Sequence, residues 1–471
     1  MSGFTVGPSA TFNLLRVLQE RAGENYALHS KYINPQFAKV LRLAGFDRCY
    51  ERGCGSYLFD TAGQRYLDLL CGWNVFNVGR NHPVVKQAIV DVLSSDPASL
   101  VQRDCSLLSG LVAEKLVQIA PPPLDTVLFS NGGAETVEGA LKFARKATRK
   151  SRFLYCKNSF HGLTFGALSV TDDTKNILRA GFGPLLPGCT RIPFQDLEAL
   201  ESELKEGDVA AFIAEPIQGE TGIIIPEARY WSEVRRLCDQ YGALMIFDEI
   251  QTGLGRTGKW LACEHWNVVP DVLCLSKALG AGLVPVGAVM TRRDIFLKVF
   301  NDLGHGLIHS STYGGNAVAM AAALATLHVI EQESLLERAT QIGARFKQEL
   351  ERLRSRYELL TDVRQIGLMI GVQFGEPKSF TLRQGWNLLH KMRPPLFGQS
   401  LIMALFDRHR ILAQMAGADP DCLQIFPPLI VGEEELAYFL QAFEDILKDC
   451  HRFPGIIWEQ GVKVAKHALS L

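Results

Sequence analysis

An α/β fold, with a large domain on a mainly parallel sheet and a smaller α+β domain, is predicted by three features of this 471-residue chain. Short apolar runs alternate with helical patterns across residues 84–330, the signature of parallel strands joined by helical crossovers. Two of those runs end in ionisable residues: ALMIF in Asp248 and Glu249, and VLCLS in Lys277. Beyond residue 330 the chain turns to charged helical stretches such as LLERATQIGARFKQELERLRSR, followed by the apolar run LMIGVQF.

The elements follow in order. Residues 1–44 read as helical and partly amphipathic, with Leu14, Leu15, Val17 and Leu18 in the first stretch. From Tyr50 the pattern shortens to YERGCGSYLFD and QRYLDLL about a turn from Asp60 to Gly63, an antiparallel hairpin or meander. The runs TVLFS, RFLYC, VAAFIAE, ALMIFDE, VLCLSK and VGAVMT then supply strands, and runs so short and apolar suit strands buried on both faces. An amphipathic helix, EEELAYFLQAFEDILK, comes late, and the tail HRFPGIIWEQGVKVAKHALSL carries no functional signal. The expected division is residues 1–83 as a segment contributing to the small domain, 84–330 as the large domain and 331–471 as the C-terminal small domain. The hairpin near residue 60 is expected to join the latter.

Composition narrows the function. With 49 basic and 50 acidic residues the net charge is −1, and no basic run offers a surface to nucleic acid or an anionic membrane. The eleven cysteines form no Cys-x-x-Cys pair, so neither a zinc or redox motif nor a disulfide framework is read. No window has the apolar length of a membrane span, and the N-terminus lacks the basic and apolar regions of a signal peptide. A cytoplasmic protein is expected.

In parallel sheets ligands bind outside the carboxyl ends of the strands. A lone Lys there is ordinarily a solvated charge. Paired with Asp248, Lys277 suits pyridoxal phosphate (PLP), whose pyridine nitrogen wants an Asp partner and whose aldehyde wants a Lys. The stretch SNGGAETVEGALKFAR follows TVLFS and opens a helix, where glycines allow close approach and free N–H groups attract a phosphate. In NSFHG, Phe160 is able to stack on a planar ring, whereas His161 taken alone reads as hydrogen-bonded structure. Glu215, in EPIQGE, is a further acid at a strand end, and Thr312, in HSSTYGGN, a hydroxyl beside a glycine pair. GLGRTGK imitates both a P-loop and a dinucleotide fingerprint. Trp260 stands where a P-loop needs Ser or Thr, and EIQT separates its first glycine from the strand, so nucleotide binding is rejected.

Together these stretches resemble the class III aminotransferases, the ornithine, acetylornithine and 4-aminobutyrate group of PLP enzymes of fold type I. The motifs GGAETVEGALKFAR, FHG, EPIQGE, DEIQTGLGRTG, LSKALGAG and STYGGN occur in family order, and the likeness runs from about Tyr50 to Leu436. The resemblance implies a seven-stranded large-domain sheet, PLP as cofactor, and small-molecule amine or amino acid and carbonyl substrates. By it, Lys277 would hold the cofactor covalently and move protons, Asp248 would pair with the ring nitrogen and Gln251 with the phenolic oxygen. Phe160 would stack on the ring, Gly133 and Ala134 would offer N–H groups to the phosphate, and His161 and Glu215 would complete the cofactor site. Thr312 would reach the phosphate from a neighbouring subunit, implying a homodimer with shared active sites. Trp73 and Glu220 would line the substrate pocket.

One position departs from the family. Where members acting on α-amino acids carry an Arg for the substrate carboxylate, shortly before Pro-Pro-Leu, this chain has Gln424. A neutral amide cannot make that bidentate, charged contact. At least one substrate is therefore expected to be an amine or aldehyde lacking an α-carboxylate, with Arg408 and Arg410 as candidates for holding the carboxylate of the other. An aminomutase, a decarboxylase and a non-catalytic PLP-fold regulatory or scaffold module stay open as alternatives.

Overall fold

The computed structural model describes residues 12–469 except 102, 174 and 176, with side chains as far as Val462. Its centre is a seven-stranded sheet in the order Thr126–Ser130, Gly287–Thr291, Val272–Leu275, Leu244–Asp248, Val209–Ala214, Arg152–Cys156, Cys189–Ile192. Gly287–Thr291 runs antiparallel to both of its neighbours, and the other strands are mutually parallel.

Successive residues of the parallel strands bury against opposite layers, as strand geometry requires. Phe153, Tyr155, Ala211, Ile213, Ile246 and Val272 pack with Val137, Ala140, Leu141 and Ala144 of the Gly133–Thr148 helix. Leu154, Phe212, Ala214, Met245, Phe247 and Leu273 face the other core, with Trp231, Val234, Met320 and Leu327. This two-sided burial is why the strands are uninterrupted apolar runs. It also brings the carboxyl ends of five parallel strands, at Ser130, Cys156, Ala214, Asp248 and Leu275, to one edge of the sheet. Cys189–Ile192 (CTRI), not foreseen from sequence, is an edge strand with only Ile192 fully buried.

The expected hairpin forms between Tyr57–Asp60 and Arg65–Asp68, with Gly63 at φ 74° in its turn. Positive φ is strained for residues with a Cβ and free for glycine. Arg65–Asp68 pairs in parallel with Ile411–Leu412, tying this N-terminal meander to the C-terminal part of the chain. A second, antiparallel sheet runs Leu360–Ile366, Met369–Phe374, Cys422–Ile425, Gln414–Met415. The helices Leu335–Arg356 and Glu433–Cys450 back it with Phe346, Phe439 and Phe443. The helical reading of the N-terminus is matched by Leu14–Glu20, Asn25–Tyr32 and Pro35–Leu43, residues 1–11 lying outside the described part. Asn13 and Asn34 cap two of these helices with side-chain oxygens, yet Ala38 is the lone buried residue on the three. The tail, unassigned from sequence, is helical over Ile456–Leu469.

Candidate active site

A cavity of about 350 Å³ opens at the sheet edge where the strands deliver their carboxyl ends. Gly133, Ala134, Phe160, His161 and Glu215 line it, together with Glu220, Asp248, Gln251 and Lys277. Nine of the residues singled out from sequence thus meet in one place.

Asp248 and Lys277 come from adjacent parallel strands, with Asp248 opposite Cys274 in register. Asp248 is 4% exposed, and its carboxylate is oriented at both oxygens. Oδ2 accepts from His161 Nδ1 at 2.8 Å and Oδ1 from the Ile250 N–H at 3.1 Å. A carboxylate only accepts, so Nδ1 carries the imidazole hydrogen. His161 is therefore the residue that orients the acid, a role its sequence context did not reveal.

Lys277 begins a short 3₁₀ turn after the Val272–Leu275 strand, with φ at 37°. A side chain held in that sparsely populated region is over-determined by its surroundings, a recurrent feature of functional sites. Ser276 anchors the approach by donating to the Val286 carbonyl at 2.8 Å. Burial holds the Lys277 ammonium below its ordinary pKa, opposed by the fields of Glu220, Asp248 and Glu215.

Glu215 follows Val209–Ala214 and accepts from the backbone N–H of Phe160 at 2.9 Å and of Gly219 at 3.1 Å. It braces two loops of the cavity wall, and burial pushes its carboxyl up to about 7 against the field of His161. Gln251 is buried, and its Oε1 has no partner among the described residues. That amide lies over Gly219, where a Cβ would fall 1.5 Å from Oε1. Gly133 and Ala134 open the Gly133–Thr148 helix after Gly132, so their N–H groups have no intrahelical acceptor. The neighbouring Asn131 N–H is taken by Glu135 Oε2 at 2.7 Å.

Three expected residues lie outside the lining. Thr312 is exposed, on a segment held to its own chain by the Asn131 Nδ2 to Ser311 Oγ bond (2.6 Å). Trp73 is 54% exposed at φ 58°, and its indole N–H donates to Gln414 Oε1 at 2.7 Å. Gln424 is fully buried: its Oε1 accepts from Gln414 Nε2 at 2.8 Å, and its Nε2 donates to the Gly219 carbonyl. Gln414 was missed because only the strand register, which sets it opposite Gln424, gives it meaning. Arg408 pairs with Asp449, Arg410 is an exposed helix cap, and neither lines the cavity.

The GLGRTG loop after Gln251 also has a structural explanation. Arg256 is fully buried and donates to the carbonyls of Leu368 (2.9 Å) and Pro427 (2.6 Å) and to Asn77 Oδ1 (2.7 Å). Its glycines fit tight turns and close contacts, with Gly255 at φ 90° and Gly258 at φ 84°.

A strand-end amine, a carboxylate fixed by an imidazole, an open aromatic face and unpaired helical N–H groups fit PLP point for point. Residues 43–447 match the aminotransferase class-III family, and the chain belongs to that family of PLP-dependent aminotransferases. It is 33% identical over 456 residues to Aminotransferase PigE of Serratia sp. (strain ATCC 39006), covering 90% of this chain and 53% of that protein. The chain thus spans about half the length of this curated relative. An ornithine aminotransferase from Toxoplasma gondii, with partial PLP occupancy at its active site, superposes with a TM-score of 0.81 at 29% identity. That match covers 94% of this chain and 100% of the other. An amine transaminase from an uncultivated Pseudomonas species, solved in its PLP-bound form, gives a TM-score of 0.72 at 32% identity, over 86% and 95% of the two chains.

Proposed function

We propose that this aminotransferase moves an amino group between a donor and a carbonyl acceptor, at least one of which lacks an α-carboxylate. The observation that carries the reading is the state of Gln424, buried and with its amide spent on Gln414 and Gly219. No arginine lines the cavity among the described residues. Relatives named for ornithine and for amines lie at similar identity, so the absent guanidinium is the better guide to substrate.

When bound, PLP supplies an aldehyde that exchanges amino groups and a protonated ring that takes up an electron pair. Lys277, with its ammonium destabilised by burial, is suited to hold the cofactor and to carry a proton to and from the reacting carbon. Asp248, oriented by His161, would keep the ring nitrogen protonated, and Phe160 would cover a face of the ring. Gln251 would meet the phenolic oxygen, while Gly133 and Ala134 would hold the phosphate. Glu215 fixes the loops that carry Phe160 and Gly219. We assign completion of the phosphate site to Thr312 of the partner subunit, in a homodimer. Leu303, Leu307 and Tyr313, exposed on the same segment, supply apolar surface for such a contact. Trp73 borders the entrance. No helix among the described residues is long and apolar enough to cross a membrane, and all eleven cysteines are free, which fits a cytoplasmic protein.

The test is kcat/KM of the holoenzyme for simple primary amines and aldehydes against ornithine and acetylornithine. A lost bidentate charged contact costs ~10²-fold or more, so the simple compounds are expected to win by that order. Ornithine or acetylornithine outperforming every one of them would overturn the reading.

A further inference from the structure

We propose that Glu220 holds a second cationic group of the substrate, so that the preferred amines are diamines and the preferred carbonyls are aldehydes bearing a further ammonium. The inference rests on the aminotransferase reading above and adds the chemistry of the substrate's far end.

The cavity is lined by three carboxylates, and they differ in what they touch. Glu215 accepts two backbone N–H groups, and Asp248 accepts from His161 and the Ile250 N–H. The Glu220 carboxylate has neither an ion pair nor a hydrogen bond among the described residues, although its backbone carbonyl is fixed by the Ala418 N–H at 3.2 Å. Arg364, on the Leu360–Ile366 strand near Gly222, is engaged elsewhere: it bonds Gln373 and the Cys422 thiol and lies 3.5 Å from Asp362.

Among the charges that oppose the burial of the Lys277 amine, Glu220 exerts the strongest field of the three acids. In the resting holoenzyme that amine would be tied up in its link to the cofactor and Asp248 matched by the ring nitrogen, so an arriving substrate would meet Glu220 before the amine is released. Glu220 is then a half-buried carboxylate facing the substrate space without an ion-pair partner among the described residues. An uncompensated carboxylate in such a site favours a cation, and a charge-assisted bond to an ammonium supplies one. Gln424, withdrawn into the protein, offers nothing to a substrate carboxylate at this point. The wall is therefore selective for positive charge as well as unselective for negative charge.

Two measurements on the holoenzyme test this. The first is kcat and KM for α,ω-diamines of increasing length, each against the monoamine of equal length, in wild type and Glu220→Gln. We expect the diamine to be favoured by about tenfold or more in kcat/KM at the matching length, carried mainly by KM, and the ratio to fall to near one in Glu220→Gln. The second is calorimetric binding of N,N,N′,N′-tetramethyl-1,4-diaminobutane, whose tertiary amines cannot condense with an aldehyde. Its binding should weaken by about tenfold or more in Glu220→Gln. Equal use of diamines and monoamines by wild type, or a preference that survives Glu220→Gln, overturns the inference while leaving the aminotransferase reading standing. Absence of turnover with every amine counts against that reading instead, and the calorimetry still decides Glu220: equal or undetectable binding by both proteins overturns its role.

Discussion

Replacing Arg256 by Met tests how the ends of the second, antiparallel sheet are tied to the loop that carries Gln251. The guanidinium is fully buried, meets no carboxylate among the described residues, and is held by Leu368 O, Pro427 O and Asn77 Oδ1. Burial without a counter-charge lowers its pKa, so its own desolvation is a standing cost. Met fills similar volume and removes that cost, but strands the acceptors. Each buried acceptor left without a donor costs about 1–3 kcal/mol, giving roughly 3–9 kcal/mol before relaxation. The relieved desolvation of the guanidinium offsets part of this, so a net loss at the lower end of that range, about 3 kcal/mol, is expected. Arg256→Lys keeps the charge but lacks the fork that spans several acceptors, and should fall between. The assay is equilibrium urea denaturation, read by intrinsic fluorescence. An Arg256→Met protein within about 1 kcal/mol of wild type would refute the claim that this side chain fastens the loop.

Three further outcomes are expected. Asp248→Asn should lower the rate by a factor of order 10² or more, since an amide cannot hold the ring nitrogen protonated; a variant within about threefold of wild type would exclude the role. Gly219→Ala places a methyl 1.5 Å from the present position of Gln251 Oε1. The amide must move, and PLP affinity should fall by about tenfold or more in an absorbance titration, with unchanged affinity contradicting the assignment of Gln251. Glu249 is buried and its carboxyl is pushed up to about 7 despite accepting from the Ala262 and Cys263 N–H groups. Because the folded state binds this proton more tightly than the unfolded chain, its contribution is fully present below the ordinary carboxylate range and is lost as pH rises through about 7. The urea midpoint should fall between about pH 5 and pH 8, and Glu249→Gln should flatten that slope; a slope unchanged in the variant would assign it to other groups.

Much of this was legible in the sequence because the physics was local. Strands buried on both faces had to be apolar runs, and the parallel sheet had to deliver whatever followed them to one edge. Asp248, Lys277 and the helix opening at Gly133 could therefore be picked out by position. Cys189–Ile192 could not, because an edge strand half in water carries no such run. His161 reads from its residues as polar structure and, by the family resemblance, as part of the cofactor site, but its partner Asp248 lies 87 residues away and only the fold joins them. Gln424 was found as a departure from a pattern, whereas its burial and its bond to Gln414 depend on strand register. Trp73 and Thr312 lie outside the lining of a single chain's cavity, and a reading of residue types alone could not locate them.

The most direct test of the central claim is a single half-reaction. Holoenzyme is mixed with a simple primary amine lacking a carboxylate, no acceptor is present, and the visible absorbance of the bound cofactor is followed. The account predicts loss of that absorbance once per site, its return when an aldehyde is added, and neither change in Lys277→Ala. Absorbance that responds to ornithine but to no simple amine, or near-normal multiple turnover by Lys277→Ala, would contradict it.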